Sequence, residues 1–183
     1  MKSQSRRIQF LECIGDLLET PEVQQMRKFS QHGNVNCFEH SLYVSYMSFL
    51  ICRFFRLNYA SAARGGLLHD LFLYDWRVKG SHKGLHGFTH PRAALEKASG
   101  LFELNRLERD IIVKHMWPLT LRFPRYRESY VVNLSDKLCA MAELLHIYHK
   151  ARMRTKLADA WWAARPLLDA RRTQKPAACS SVL

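Results

Sequence analysis

Apolar residues in this chain recur every three or four positions, in runs broken by proline, glycine and asparagine. No stretch alternates apolar and polar residues with a hairpin turn between. That period is the signature of helices burying one face, so the chain is expected to be all-α. Ile8, Leu11, Ile14, Leu17 and Leu18 mark a first helix, ended at Thr20-Pro21. A mostly apolar second helix is expected over residues 37–55, after the turn-like His32-Gly33-Asn34. Asn58 suits the N-cap of a third, expected to run through Leu67-Leu68 to about Tyr74. Gly65-Gly66 costs that helix roughly 1 kcal/mol per residue in propensity, which points to close packing against a neighbour. Residues 79–87 read as a glycine-rich loop, and Pro91 as a first-turn residue of a helix through Ala98, closed by Gly100. A helix over 101–114 carries Asn105 and Glu108 at capping-box spacing. A basic loop between Pro118 and Pro124 precedes a helix over 130–148, and a basic amphipathic helix follows near 157–168.

With 183 residues, 48% of them hydrophobic, the chain suits one well-buried core. Five scattered cysteines, never in C-x-x-C spacing, argue against a disulfide framework and for a reducing, cytoplasmic setting. The most apolar stretch, residues 42–55, is too short for a bilayer of ~30 Å and carries Arg53, so no membrane span is expected. A net charge of +12 favours anionic partners. Residues 150–183 hold eight Lys/Arg against two Asp, half of that excess, so the tail dominates the global charge. No RNA-binding or zinc-finger signature accompanies the charge, which disfavours a nucleic-acid partner; a homo-oligomer stays open.

Four residues stand out because burial makes them expensive. His40 lies amid Phe38 and Leu42, Asp136 amid Leu134 and Leu138, and His69-Asp70 follows Leu67-Leu68. A carboxylate in a helix core costs several kcal/mol unless it is paired or metal-bound. Adjacent helical residues point ~100° apart, so His69 and Asp70 reach one ion only if other helices close around it. Two imidazoles and two carboxylates suit manganese, iron, cobalt, zinc or magnesium. Singly, each has a plainer role: a core histidine with a hydrogen bond, or, for His115, a helix C-terminus favoured by the dipole.

The order His40, His69-Asp70, Asp136 resembles the signature of the HD superfamily of metal-dependent phosphohydrolases. The likeness spans residues 37–143 and extends to Arg64-Gly65-Gly66-Leu67-Leu68 before the pair. It implies a single compact HD-domain helical bundle over 1–150 with the metal site at its centre; the residues after it, 151–183, read by themselves as a basic helix and a flexible tail. His90 before Pro91, and His115 after Ile111-Ile112-Val113-Lys114, resemble the extra ligands of binuclear members. The resemblance then implies Asp70 bridging two divalent ions, one held by His40, His69 and Asp136, the other by His90 and His115. At Leu71-Phe72-Leu73 the chain departs from the branch with a glycine-containing motif after the pair, the cyclic-dinucleotide phosphodiesterases.

The implied reaction is hydrolysis of a phosphoester or phosphoanhydride in a small phosphorylated metabolite or nucleotide, with His69 and Asp70 as the catalytic residues. Lys137, Lys83, Lys114 and Arg92 flank the ligands as phosphate clamps, and Arg122, Arg125 and Arg127 follow in the basic loop. Gly80, Gly84 and Gly87 argue against one helix through His82, His86 and His90. His82 and His86, with His32, are therefore read as loop residues for substrate contact or proton transfer, and His146 and His149 as solvated. The same ligand set also suits an HD-fold diiron oxygenase, and a non-catalytic nucleotide-binding HD module.

Overall fold

The computed structural model describes residues 2–31 and 35–145. His32, His146, His149, the expected helix near 157–168 and the tail lie outside them. The fold is all-α, with seven α-helices and no strand among the described residues. In chain order these are α1 (Lys2–Leu18), α2 (Pro21–Gln25), a 3-10 turn at Met26–Lys28, α3 (Cys37–Phe54), α4 (Tyr59–Leu68), α5 (His86–Leu101), α6 (Arg106–Lys114) and α7 (Arg127–Leu144). A lone antiparallel bridge joins Ser30 to Asn36. The chain divides into two compact units, one of Cys13–Tyr148 and a smaller one of Met1–Glu12 with His149–Leu183. Of the smaller unit, only the opening of α1 is described. The larger unit carries every residue discussed below.

Asparagine side chains start three of the helices. Asn36 accepts from Glu39 N at 2.9 Å and Asn58 from Ser61 N at 3.0 Å. Asn105 and Glu108 form the expected capping box. Each satisfies amide groups that a helix leaves open at its first turn, worth about 1 kcal/mol.

Several helix boundaries differ from expectation. Helix α2 is unexpected, α6 starts at Arg106 rather than 101, and α7 runs Arg127–Leu144 rather than 130–148. Two further differences bear on the site. The helix begun at Asn58 stops at Leu68, so His69 and Asp70 stand at and beyond its end. His69 turns its Nδ1 back onto the carbonyl of Gly66 at 2.8 Å, satisfying a terminal acceptor that helix continuation would otherwise serve. Conversely, α5 begins at His86 rather than at Pro91, which lies inside the helix. The glycines that argued against helix are placed accordingly: Gly80 and Gly84 take positive φ (88° and 74°) ahead of α5, whereas Gly87 is helical.

The core is built where α4 passes α3 and α6. Phe49, Leu67, Leu68, Ile111 and Ile112 are fully buried there. The glycine pair makes this approach possible, as expected. A Cβ on Gly66 would lie 3.0 Å from Ser45 Cα, and one on Gly65 would lie 2.8 Å from Ile111 Cγ2. Ser45 Oγ donates to Ala63 O at 2.6 Å across the same contact. Arg64 binds both Asp16, at 2.7 Å, and Glu108, at 3.3 Å, fixing the turn of α4 that leads into His69. Helix α7 packs on α3, α4 and α6, which turns Asp136 towards the His69-Asp70 pair.

Candidate metal centre

Five helices deliver the site. His40 comes from the first turn of α3, and His69 and His115 are the cap residues ending α4 and α6. His90 lies in α5 and Asp136 in the middle of α7. All four histidines and Asp70 are buried, and the Asp136 side chain is 13% exposed.

The histidine tautomers follow from their backbone contacts. Nδ1 of His69, His90 and His115 each lies 2.8 Å from a carbonyl, of Gly66, His86 and Ile112 respectively. A carbonyl only accepts, so each Nδ1 carries the proton, and in the neutral ring each Nε2 keeps a lone pair. All three Nε2 atoms turn to Asp70. They stand 3.3 Å (His69) from Oδ2, and 3.3 Å (His90) and 3.6 Å (His115) from Oδ1. His90 Nε2 and His115 Nε2 are also 2.8 Å apart. Gln31 Nε2 donates to Asp70 Oδ2 at 2.5 Å. Asp70 Oδ1 and His69 Nε2 are buried with no hydrogen-bond partner.

His40 is held differently. Its Nδ1 donates to Glu143, 3.0 and 3.1 Å from the two carboxylate oxygens, and its Nε2 faces Asp136 Oδ1 at 3.0 Å. His69 Nε2 is 3.7 Å from the same oxygen. One carboxylate oxygen or imidazole nitrogen from each residue converges in two sets, His40–His69–Asp136 and His69–Asp70–His115, with all donors of a set within 4.8 Å of one another.

An array of lone pairs facing lone pairs repels itself unless a cation sits among them. Two ligands about 2.1 Å from one ion, in tetrahedral or octahedral array, are themselves roughly 3.0–3.4 Å apart. Most of the donor separations here, 2.8–3.7 Å, fall at or near that edge length. The outward ring nitrogen bound to a carbonyl or carboxylate is also what fixes an imidazole ligand. The buried His and Asp groups thus have the chemistry and spacing to hold a divalent metal ion.

The electrostatics agree. Burial opposes charge on His40, but the bonds to Asp136 and Glu143 outweigh it and lift its pKa to about 9. His69 is likewise raised against burial, by the charges of Asp70 and Asp136. Burial would raise both acids, yet His69 holds Asp70, and His40 holds Asp136, well below the usual carboxylate range. Burial, and then the neighbouring His69 and His90 rings, push His115 down to about 3, leaving it a neutral donor. In the metal-free chain, protons on His40 and His69 supply the positive charge the acids require.

A cavity of about 770 Å³ opens over this cluster, with Asp70, His90, His115, Asp136 and Lys137 at its floor. Lys137 Nζ donates to the carbonyl of His115 at 3.4 Å. His86 lines the cavity, one helical turn from His90, and their rings stack at 4.5 Å. Tyr74 Oη lies 3.2 Å from His86 Nδ1, and burial, with the neighbouring His90 ring, lowers the His86 pKa to about 4. His82 stacks on Tyr74 at 5.0 Å and is not in the lining.

The other cations expected as phosphate clamps are elsewhere. Lys114 points away and pairs with Asp110 Oδ1 at 2.5 Å. Lys83 and Arg92 are exposed and do not line the cavity, nor do Arg122, Arg125 and Arg127. Asp110 also accepts from Arg125 N and Ser129 Oγ, tying the basic loop to the start of α7.

Four contributors escaped the sequence reading. Glu143 follows Asp136 by seven residues, two turns along the same face of α7, a signal that was present. Asn133 Nδ2 donates to the carbonyls of His115 and Trp117, holding the end of α6. Gln31 and Trp76 arrive from irregular segments that carry no periodic signal. Comparison with protein-family models, curated proteins and solved structures finds no match to this chain.

Proposed function

We propose that this chain is a metal-dependent phosphohydrolase of the HD type, acting on a small phosphorylated substrate. One observation carries the reading: three imidazoles, their Nδ1 protons committed to backbone carbonyls, aim Nε2 at the two oxygens of one buried carboxylate, Asp70. His40, His69 and Asp136 would hold one ion and His90 and His115 a second, with Asp70 between them. When bound, such ions supply Lewis acidity that polarises a phosphoryl oxygen and lowers the pKa of water from 15.7 towards about 7.

The chain's own residues do the rest. Glu143 fixes the His40 ring and Gln31 fixes the Asp70 carboxylate, so neither must reorganise during reaction. Asp70 is placed to orient water against phosphorus and to accept its proton. His69, bonded to Gly66, keeps its ring directed at that same carboxylate. Lys137, at the cavity floor, brings a positive charge to the phosphate as charge builds on its oxygens. His86 presents a neutral ring to the same cavity, one helical turn from His90.

The test is phosphate release from a panel of phosphomonoesters and nucleotides with manganese, beside metal analysis of unchelated protein. His69→Ala and Asp70→Ala should each cost at least about a thousandfold in turnover, with far-ultraviolet circular dichroism unchanged. Full activity in either variant refutes the assignment, and oxygen uptake with a polyol in place of phosphate release replaces it.

A further inference from the structure

The floor and the walls of the cavity differ in character. Its acids and amide, Asp70, Asp136 and Gln31, all belong to the metal-facing floor. The walls are apolar: Met116, Pro118 and Leu119 from the segment between α6 and α7, Ala140 and Leu144 from α7, and Trp76. Leu119 is 48% and Leu144 61% exposed, so this wall meets water unless something covers it. The wall is also built to persist. A Cβ on Gly87 would lie 3.2 Å from Leu119 Cδ2, so α5 packs closely against it. Trp76 Nε1 donates to Ser30 O at 3.2 Å, and its ring stacks on His86 at 5.5 Å and 17°.

Two cations, Lys137 at the floor and Arg77 in the lining beside Trp76, complement an anionic head. The volume is in the usual range of ~300–1,000 Å³ for pockets that enclose a whole organic ligand and far exceeds a bare phosphate. We infer that the substrate is a phosphate ester of an apolar alcohol, its phosphate on the acid–imidazole floor and its hydrocarbon or aryl body against Met116, Pro118, Leu119 and Leu144. This rests on the phosphohydrolase reading of the same site. In the reaction, water oxygen bonds to phosphorus as the phosphorus–oxygen bond to the alcohol breaks. The alcohol leaves with one proton, and inorganic phosphate keeps the other. Against Met116, Pro118, Leu119, Ala140 and Leu144 a polyhydroxy alcohol finds no side-chain donor or acceptor, and its hydroxyls there would lose water without replacement.

Ethyl, butyl, hexyl, 2-phenylethyl and glycerol phosphates, assayed with manganese, separate the possibilities. Their leaving groups are all primary alcohols, so the chemistry changes little along the series. Each methylene buried should raise kcat/KM about fourfold, the equivalent of ~0.8 kcal/mol. Butyl phosphate should then exceed ethyl phosphate by roughly fifteenfold, with glycerol phosphate no better than ethyl. Leu119→Gln and Leu144→Gln change exposed side chains and should fold normally, yet the hexyl-to-ethyl ratio should fall several-fold. Calorimetry with hexylphosphonate and ethylphosphonate reads the same preference without turnover. Cleavage of all esters with no chain-length preference overturns the apolar-alcohol assignment and leaves the hydrolase reading intact. Preferential binding of hexylphosphonate with no ester cleaved overturns the hydrolase reading and keeps the apolar-bodied ligand. Neither cleavage nor preference overturns both.

Discussion

Replacing Glu143 by Gln keeps a carbonyl acceptor for His40 Nδ1 and removes one buried negative charge, leaving the geometry in place. The raised pKa of His40, about 9 against an ordinary 6.5, corresponds to roughly 3 kcal/mol in favour of its positive form. Asp136 and Glu143 share that preference, which gives Glu143 about 1–2 kcal/mol, or roughly five- to thirtyfold in cation affinity. The same carboxylate also stabilises the proton that a metal must displace, so the two effects oppose each other at low pH. The sign follows from the linkage. Stabilisation of the metal-free fold by protonated His40 is complete below about 6.5 and is lost as pH rises through about 9. Wild-type metal affinity should therefore climb over that interval as the proton is released. At pH 6, Glu143→Gln weakens proton and metal together and apparent affinity changes little. At pH 9 the wild-type His40 is still half protonated, a penalty of about twofold, so calorimetric titration with manganese should show a loss of roughly three- to fifteenfold. An affinity at pH 9 within twofold of wild type would refute the carboxylate–imidazole–metal arrangement.

Other consequences are more local. Gly66→Ala gains about 1 kcal/mol of helix propensity but drives a methyl against the Ser45 backbone, so urea unfolding should show a net loss of roughly 1–2 kcal/mol. Lys137→Ala should lower kcat/KM for a phosphoester about ten- to a hundredfold, at a cost of ~1.4 kcal/mol per tenfold. Lys114→Met should instead leave kcat/KM within threefold and lower thermal stability, because it removes the cation beside the buried Asp110 Oδ1; equal kinetic loss in the two variants would contradict this division. Chelation of metal-loaded protein should lower the melting temperature, since an ion at a hundred times its Kd stabilises by about 2.7 kcal/mol. A melting temperature indifferent to chelator and to added manganese would count against any bound ion.

Most of the helices, and the starts that asparagines cap, were legible because their causes are local. Asn58, Asn105 and Glu108 cap the amides of the next turn, and apolar spacing marks the buried face of α4 and α6, though not of α7, where Leu134 and Leu138 are exposed. Even Gly65-Gly66 announced close packing, since their helix cost demands a reason in tertiary structure. The stop at His69 and the early start at His86 were not legible, because each turns on where a ring nitrogen or a proline neighbour lies in space.

The residue types of the site could be read in order along the chain, from His40 to Asp136, because buried imidazoles and acids are costly wherever they occur. Which cations serve the cavity could not. Lys114 and Lys137 each adjoin a site residue in sequence, yet one pairs with Asp110 and the other reaches the floor. Glu143, Gln31 and the apolar wall joined the centre only on folding. Sequence fixes what each side chain can donate or accept, and burial gives that capacity its price. Convergence depends on distances between helices far apart along the chain, and only the packed core sets those.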